Sequence, residues 1–395
     1  ALYFFLLLAS YYLLRPVRDE MGIQAGLDQL QWLFTATFVV MLAVVPLFGW
    51  ASSRWPRRQL IPAVYLFFIA GLVLFYWLLQ AFGGVWIARA FYVWVSVYNL
   101  FVVSVFWSLM TDLFSQQQGK RLFGIIAAGG SAGAIAGPGL AALLAQTLGP
   151  YQLLPVSALL LGGALWCALL LTRTHSAAHQ HAPALGGGIW EGVEQLVKQR
   201  RLQGIALFIW LYTTLATFLY FQQAHIVAEA FSNSADRTTT FALIDLGVNS
   251  LTVLLQLFIT GRLLQGFGLG RSLALVPALL AVGFAALAIA PVLAVLAAVQ
   301  ITRRAGNYGI TRPAREVLYT GVERSARYKA KNFIDTVVYR GGDALAGWLY
   351  TGLKTAGLGL GGIALLSIPL ALGWAALGLW LGKTCEEEKD EQDPV

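Results

Sequence analysis

This chain is short of charge. Asp, Glu, Lys and Arg make up 12% of its 395 residues, against roughly 25% in an ordinary soluble domain. That shortage excludes a water-soluble globule. With 58% hydrophobic residues and a mean hydropathy of +0.68, it implies a polytopic membrane protein whose partner is the lipid bilayer. Cysteine is nearly missing: Cys167 lies in an apolar run and Cys385 near the C-terminus, which excludes a disulfide framework and a thiolate metal site. His175, His179 and His181 have metal-ligand spacing but sit in a Gly/Ala/Pro linker without a Cys or acidic partner. A solvated loop is the better reading, and no metal is expected. His225, inside an apolar run, fits a proton relay near neutral pH or a hydrogen-bonded core residue. No nucleotide-hydrolysis loop, catalytic triad or metalloprotease motif occurs, so neither an enzyme nor a cofactor is expected. The net charge of +8 lies in short loops and inside helices. It lacks the aromatic-interleaved basic tract of a nucleic-acid partner.

What is present is a succession of apolar runs. Twelve can be read, at 1–22, 28–50, 59–81, 84–113, 121–147, 153–172, 203–229, 239–263, 269–289, 291–319, 331–355 and 358–382, each near the ~20 residues that cross a bilayer as a helix. Ala1 stands inside the first run with no initiator Met. The run is read as a spanning helix of a chain trimmed at its N-terminus, not as a signal peptide. Arg54, Arg57 and Arg58 follow run two, and Lys120 and Arg121 follow run four. Arg173, Lys198, Arg200 and Arg201 flank the long middle loop. Arg262 and Arg271 follow run eight, and Arg324, Arg327 and Lys329 follow run ten, while the connections after runs three, five, nine and eleven hold almost no Lys or Arg. Even-numbered connections and both termini are therefore expected on the cytoplasmic side. The stretch 173–201 is the one long polar connection and would be a cytoplasmic linker between residues 1–172 and 202–383; 384–395 would be an acidic cytoplasmic tail.

The two halves echo each other. Gly49 through Arg58 returns loosely as Gly261 through Arg271. Lys120-Arg121-Leu-Phe123 followed by Ala136-Gly137 returns as Ala330-Lys331-Asn-Phe333 followed by Ala346-Gly347. Parallel repeats are what a major facilitator fold requires, and Gly133-Ala-Ile-Ala-Gly137-Pro138-Gly139 resembles that superfamily's Gly-Pro helix. The fold class expected is an all-α membrane protein with twelve transmembrane helices in two six-helix bundles.

Ionisable groups inside apolar runs cost about 2.5–3.5 kcal/mol each on insertion scales, so they face partners or a watery path. Arg15, Arg18, Asp19 and Gly22 fall at i, i+3, i+4, i+7, one helical face. Arg312, Arg315, Glu316 and Tyr319 repeat that spacing. Lys331, Asp335, Tyr339, Asp343 and Gly347 recur every fourth residue, Asp245 and Asn249 form a shorter polar edge, and Asp112 closes run four. Two readings stay open: internal ion pairs that fix helix register, or a site whose missing counter-charge arrives with an anionic ligand. Run ten holds more cations than Glu316 can balance, which favours the second.

Three stretches together resemble the ATP:ADP antiporter family of plastids and intracellular bacteria: Tyr11 through Asp19, Phe106-Trp107 through Gly124, and Arg312-Pro-Ala-Arg315-Glu316 through Asp335. The resemblance implies twelve helices and exchange of anionic nucleotides through a basic cavity. It sets Arg18 and Asp112 where the family has a lysine and a glutamate, and a family lysine within Lys329–Lys331. Gln222 and Gln223 stand where the family carries an acid.

The expected function is a secondary transporter of a phosphorylated or other anionic metabolite, a nucleotide included, in a bacterial inner membrane. Arg15, Arg18, Arg312, Arg315, Lys331 and Tyr339 would bind substrate. Asp19, Asp112, Glu316, Asp335 and Asp343 would be counter-ions, or in one version proton carriers. The rivals are a proton-coupled exporter of drug- or siderophore-like compounds and a non-transporting receptor or assembly subunit. The topology is checked by labelling a single cysteine at Gln180 in a background without Cys167 and Cys385. It should react only with reagents that reach the cytoplasmic face, and labelling from outside would reverse every loop.

Overall fold

The computed structural model describes residues 1–114, 116–174, 194, 196–197, 199–320, 330–331 and 333–392. His175, His179, His181, Gln180, Lys198, Arg324, Arg327 and Lys329 lie outside them. All regular structure among the described residues is helical: α1 (Leu2–Gln24), α2 (Leu30–Arg54), α3 (Arg57–Ala81), α4 (Val85–Leu113), α5 (Gln116–Leu148), α6 (Leu153–Thr174), α7 (Arg200–Ala230), α8 (Ser234–Phe258) and α9 (Thr260–Ile289). Then α10 (Leu293–Gly306) passes through a π-turn (Asn307–Thr311) into α11 (Arg312–Leu318). A second π-turn (Ile334–Val338) leads into α12 (Tyr339–Thr355), and α13 is Leu360–Gln392. With α10 and α11 taken as one crossing, the twelve expected helices are all present. Among the described residues nine are long and apolar enough to cross a membrane. The other three, α1, α10–α11 and α12, are those that carry the charged stripes.

Packing groups the chain into two compact units, residues 1–184 with 227–249 and residues 185–226 with 250–395. In the first unit α1 is the buried axis, with Leu7, Leu13, Leu14 and Val17 fully enclosed. Gly129, Gly133 and Gly137 of α5, four apart, lie against the backbone of Ala1, Phe5 and Ala9, also four apart. Lipid supplies no hydrophobic drive between helices, so association depends on close van der Waals contact, and small residues permit it. A Cβ on Gly137 would stand 2.7 Å from the Ala9 carbonyl oxygen, whereas one on Gly139 would meet nothing. The Ser10 hydroxyl, 2.7 Å from both the Tyr98 hydroxyl and Ser157 Oγ, ties α1 to α4 and α6.

In the second unit Trp374 of α13 is enclosed by Phe208 and Tyr212 of α7, at ring-centre distances of 5.2 and 5.7 Å. Helix α9 is broken at Gly268, whose φ of +76° suits glycine alone, and resumes against α13 where Gly270 meets Gly382. The first π-turn has a local cause. Pro313 has no N–H to give the carbonyls one turn back. Instead Thr260 Oγ1 donates to Gly309 O at 2.6 Å and Gln256 Nε2 to Tyr308 O at 3.3 Å.

Gly137→Val should lower stability by about 1–3 kcal/mol through overpacking against α1, while Gly139→Val stays near wild type. Melting of the two purified variants checks this; equal losses would mean that the α1–α5 contact is not close-packed.

Candidate functional site

The charged end of α1 is paired within the first unit. Arg15 Nε lies 3.6 Å from Asp245 Oδ2 of α8. Arg18 forks onto Asp19 Oδ1 through Nη2 at 2.6 Å and Nε at 3.1 Å, its guanidinium 5.1 Å from the Tyr92 ring centre. Glu20, 0% exposed, accepts from Arg237 Nε at 2.7 Å, from Arg237 Nη2 at 2.8 Å and from Gln24 at 3.0 Å. A dry, bidentate pair of this kind costs about 3–5 kcal/mol to break, because the surviving charge stays buried. The Asp245 edge was legible in the sequence. Arg237 was not, since a cation in a helix's first turn looks like any loop cation. Asp112 stands exposed in the last turn of α4.

The second stripe is wetter. Lys331 Nζ donates to Glu316 Oε2 at 2.5 Å, with side chains 36% and 45% exposed, and lies 5.6 Å from the Tyr319 ring centre. Arg315 Nη2 is 3.5 Å from Asp335 Oδ1. Two cross-links thus join α11 to the residues leading into α12. Further along, Arg340 Nη1 lies 3.8 Å from Asp343 Oδ2, Thr217 Oγ1 of α7 donates to Asp343 Oδ1 at 3.3 Å, and the Tyr339 ring is 5.9 Å from that of Tyr212. The π-turn over Ile334–Val338 helps align the stripe: a step of four overshoots an α-turn and undershoots the wider π-turn, so the drifts offset each other. Arg312 is exposed. An exposed ion pair such as Lys331–Glu316 contributes no more than about 1 kcal/mol, so a ligand oxyanion can replace the Glu316 carboxylate at small cost; Arg315 is itself only 11% exposed, and its partner Asp335 is the exposed member of that pair.

One cluster lay outside the expected site. Gln300 and Arg303 of α10 and Asn307 at the start of the π-turn, spaced i, i+3, i+7, meet Tyr212 and Gln223 of α7. That spacing was visible, but neutral amides carry little weight in a sequence read for charge. His225 Nδ1 faces its own helix, 2.8 Å from Phe221 O, and Nε2 is 2.9 Å from Lys354 Nζ. The ammonium can only donate, which assigns the ring proton to Nδ1.

The family model described as Major Facilitator Superfamily matches residues 1–315. No curated protein matches the chain. Among solved structures, a bacterial homologue of the human lysosomal transporter Spinster, inward-facing and unoccupied, aligns with TM-score 0.65 at 13% identity over 98% of this chain and 96% of that one. The POT family transporter PepTSo gives 0.67 at 12% identity over 98% of both chains. The nucleoside transporter NupG gives 0.65 at 13% identity, with 98% and 96% covered. At these identities the likeness is one of fold.

Removing Arg237 with Arg237→Ala should cost about 3–5 kcal/mol of ligand-free stability, partly recovered in Arg237→Ala/Glu20→Gln, whereas Lys331→Ala should cost less than about 1 kcal/mol. Denaturation of purified protein reads both; the reverse order would make the wet pairs the structural ones.

Proposed function

The chain belongs to the Major Facilitator Superfamily, a multi-pass membrane transporter and not an enzyme, and from that premise we propose that it carries a phosphorylated or other anionic metabolite by alternating access. The observation that carries this reading is the charge imbalance from α10 through α12. Outside residues 320–330, Arg303, Arg304, Arg312, Arg315, Lys331, Arg340 and Lys354 outnumber Glu316, Asp335 and Asp343. On α1 and α8, by contrast, Arg15, Arg18 and Arg237 are matched by Asp19, Glu20, Asp236 and Asp245. Arg312, Arg315 and Lys331 would hold the oxyanion, with Tyr339 beside them. Glu316 and Asp335 are the counter-ions released to it, and Asp343 balances Arg340. In the first unit Arg15 and Arg18 would be a cationic substrate-binding pair, with Asp19 and Asp112 as acidic counter-ions. Residues 1–172 and 202–383 would be the two six-helix halves, with the linker and both termini in the cytoplasm of a bacterium.

Nucleotides belong among the first probes, because NupG shares the fold and the antiporter resemblance points the same way. In proteoliposomes a labelled nucleotide or sugar phosphate should accumulate. A ligand at 100 times its dissociation constant should stabilise the protein by about 2.7 kcal/mol. Arg315→Gln and Lys331→Ala should lose that stabilisation while melting normally without ligand. Movement of a hydrophobic cation or neutral compound instead would favour the exporter, and no movement at all the receptor or assembly subunit.

A further inference from the structure

Arg303 departs from the pattern of Asp19, Glu20 and Asp245, buried charges that each meet an opposite one. It is 6% exposed, yet among the described residues its guanidinium meets only neutral groups. Gln300 Oε1 accepts from Nη2 at 2.9 Å and from Nε at 3.3 Å, and the Tyr212 hydroxyl accepts from Nη1 at 3.4 Å, with that ring's centre 5.9 Å away. All of these residues belong to the second compact unit. A guanidinium has five N–H groups. These contacts use three, leaving one on Nη1 and one on Nη2 for the oxygens of an oxyanion.

The neighbours leave donors over as well. The Tyr212 oxygen accepts from Arg303 and from Asn307 Nδ2, the latter at 3.1 Å, so its own proton is left to give. Gln300 spends its amide N–H on the Gln223 side-chain oxygen, which leaves the Gln223 amide nitrogen as a donor. The Gln300 and Tyr212 oxygens each accept twice, and what remains around Arg303 is one buried positive charge with several N–H and O–H groups. A neutral acceptor could meet those donors, but only an anion also balances the charge.

We propose that Arg303, with Tyr212 and Gln223, is a buried oxyanion-binding site in the α7–α10 core, and that the phosphate or carboxylate group of the transported anion supplies the counter-charge Arg303 lacks. The proposal rests on the anion-carrier reading, but places an anchor outside the α11–α12 stripe. Gln300 is a positioning residue: its side-chain oxygen occupies two N–H groups and fixes the guanidinium plane.

The test uses the full chain in detergent, with inorganic phosphate and succinate as separate probes, and follows melting with and without each. Arg303→Gln should melt higher than wild type without ligand, since a bare buried charge has gone, and should lose the anion-induced shift. Gln300→Glu puts a carboxylate where the ligand's charge is needed. It should also raise ligand-free melting and weaken the apparent anion affinity at least tenfold. Tyr212→Phe should weaken it less. A shift with phosphate alone identifies a phosphoryl site, and with succinate alone a carboxylate site. An anion-induced shift kept in both Arg303→Gln and Gln300→Glu, with lower ligand-free melting in Arg303→Gln, makes Arg303 structural and overturns the proposal while the anion-carrier reading survives through Arg315 and Lys331. If neither probe, nor any phosphorylated metabolite, shifts the wild type, both readings fall.

Discussion

A charge removed from water has to recover its hydration energy from an opposite charge or from hydrogen bonds, and where neither suffices it waits for a ligand. Most of what is distinctive in this molecule follows from that requirement. The three helices too charged to count as ordinary spans are the ones whose contacts are fixed by ion pairs: α1 through Asp245 and Arg237, and α11 against the start of α12 through Lys331 and Asp335. Where no charge is present, the helices are held by shape. The Gly129–Gly133–Gly137 ladder under α1 and the Gly270–Gly382 contact between α9 and α13 do the same work for apolar neighbours. Close packing suffices there because every backbone group is already bonded within its own helix.

The pairs fall into two energetic kinds, and the difference separates architecture from function. Glu20 with Arg237 is bidentate, reinforced by Gln24 and built on a fully buried carboxylate, so Arg237 cannot leave without stranding Glu20. Lys331 with Glu316 and Arg315 with Asp335 are partly wet and singly bonded. A carrier needs the second kind, since its empty and loaded forms must both be low in energy, which means that internal counter-ions must yield to the substrate's charge and return when it leaves. The π-turns fall in the arms that bear these pairs. There, backbone that does not close ordinary helical bonds is tolerated because side chains such as Thr260 take over the stranded carbonyl.

Composition alone determined the class of this protein: too few charges for water and twelve runs of bilayer length leave only a helical membrane protein, because in lipid every backbone group must be bonded within its segment. Spacing determined the faces as well. Arg15–Arg18–Asp19 and Lys331–Asp335–Tyr339–Asp343 could be read as stripes because helical period converts sequence distance into angle. Even the interruption near Pro313 was visible, since a proline removes the same donor wherever it stands. What only the tertiary structure decided is which charge answers which. Arg15 reaches Asp245 and Glu20 reaches Arg237 across more than two hundred residues, and whether such a pair is dry or wet depends on neighbours that no local pattern names. Arg303 shows the same limit from the other side: that it meets only neutral groups among the described residues is a property of the helices packed around it, and a sequence records only that the arginine is there.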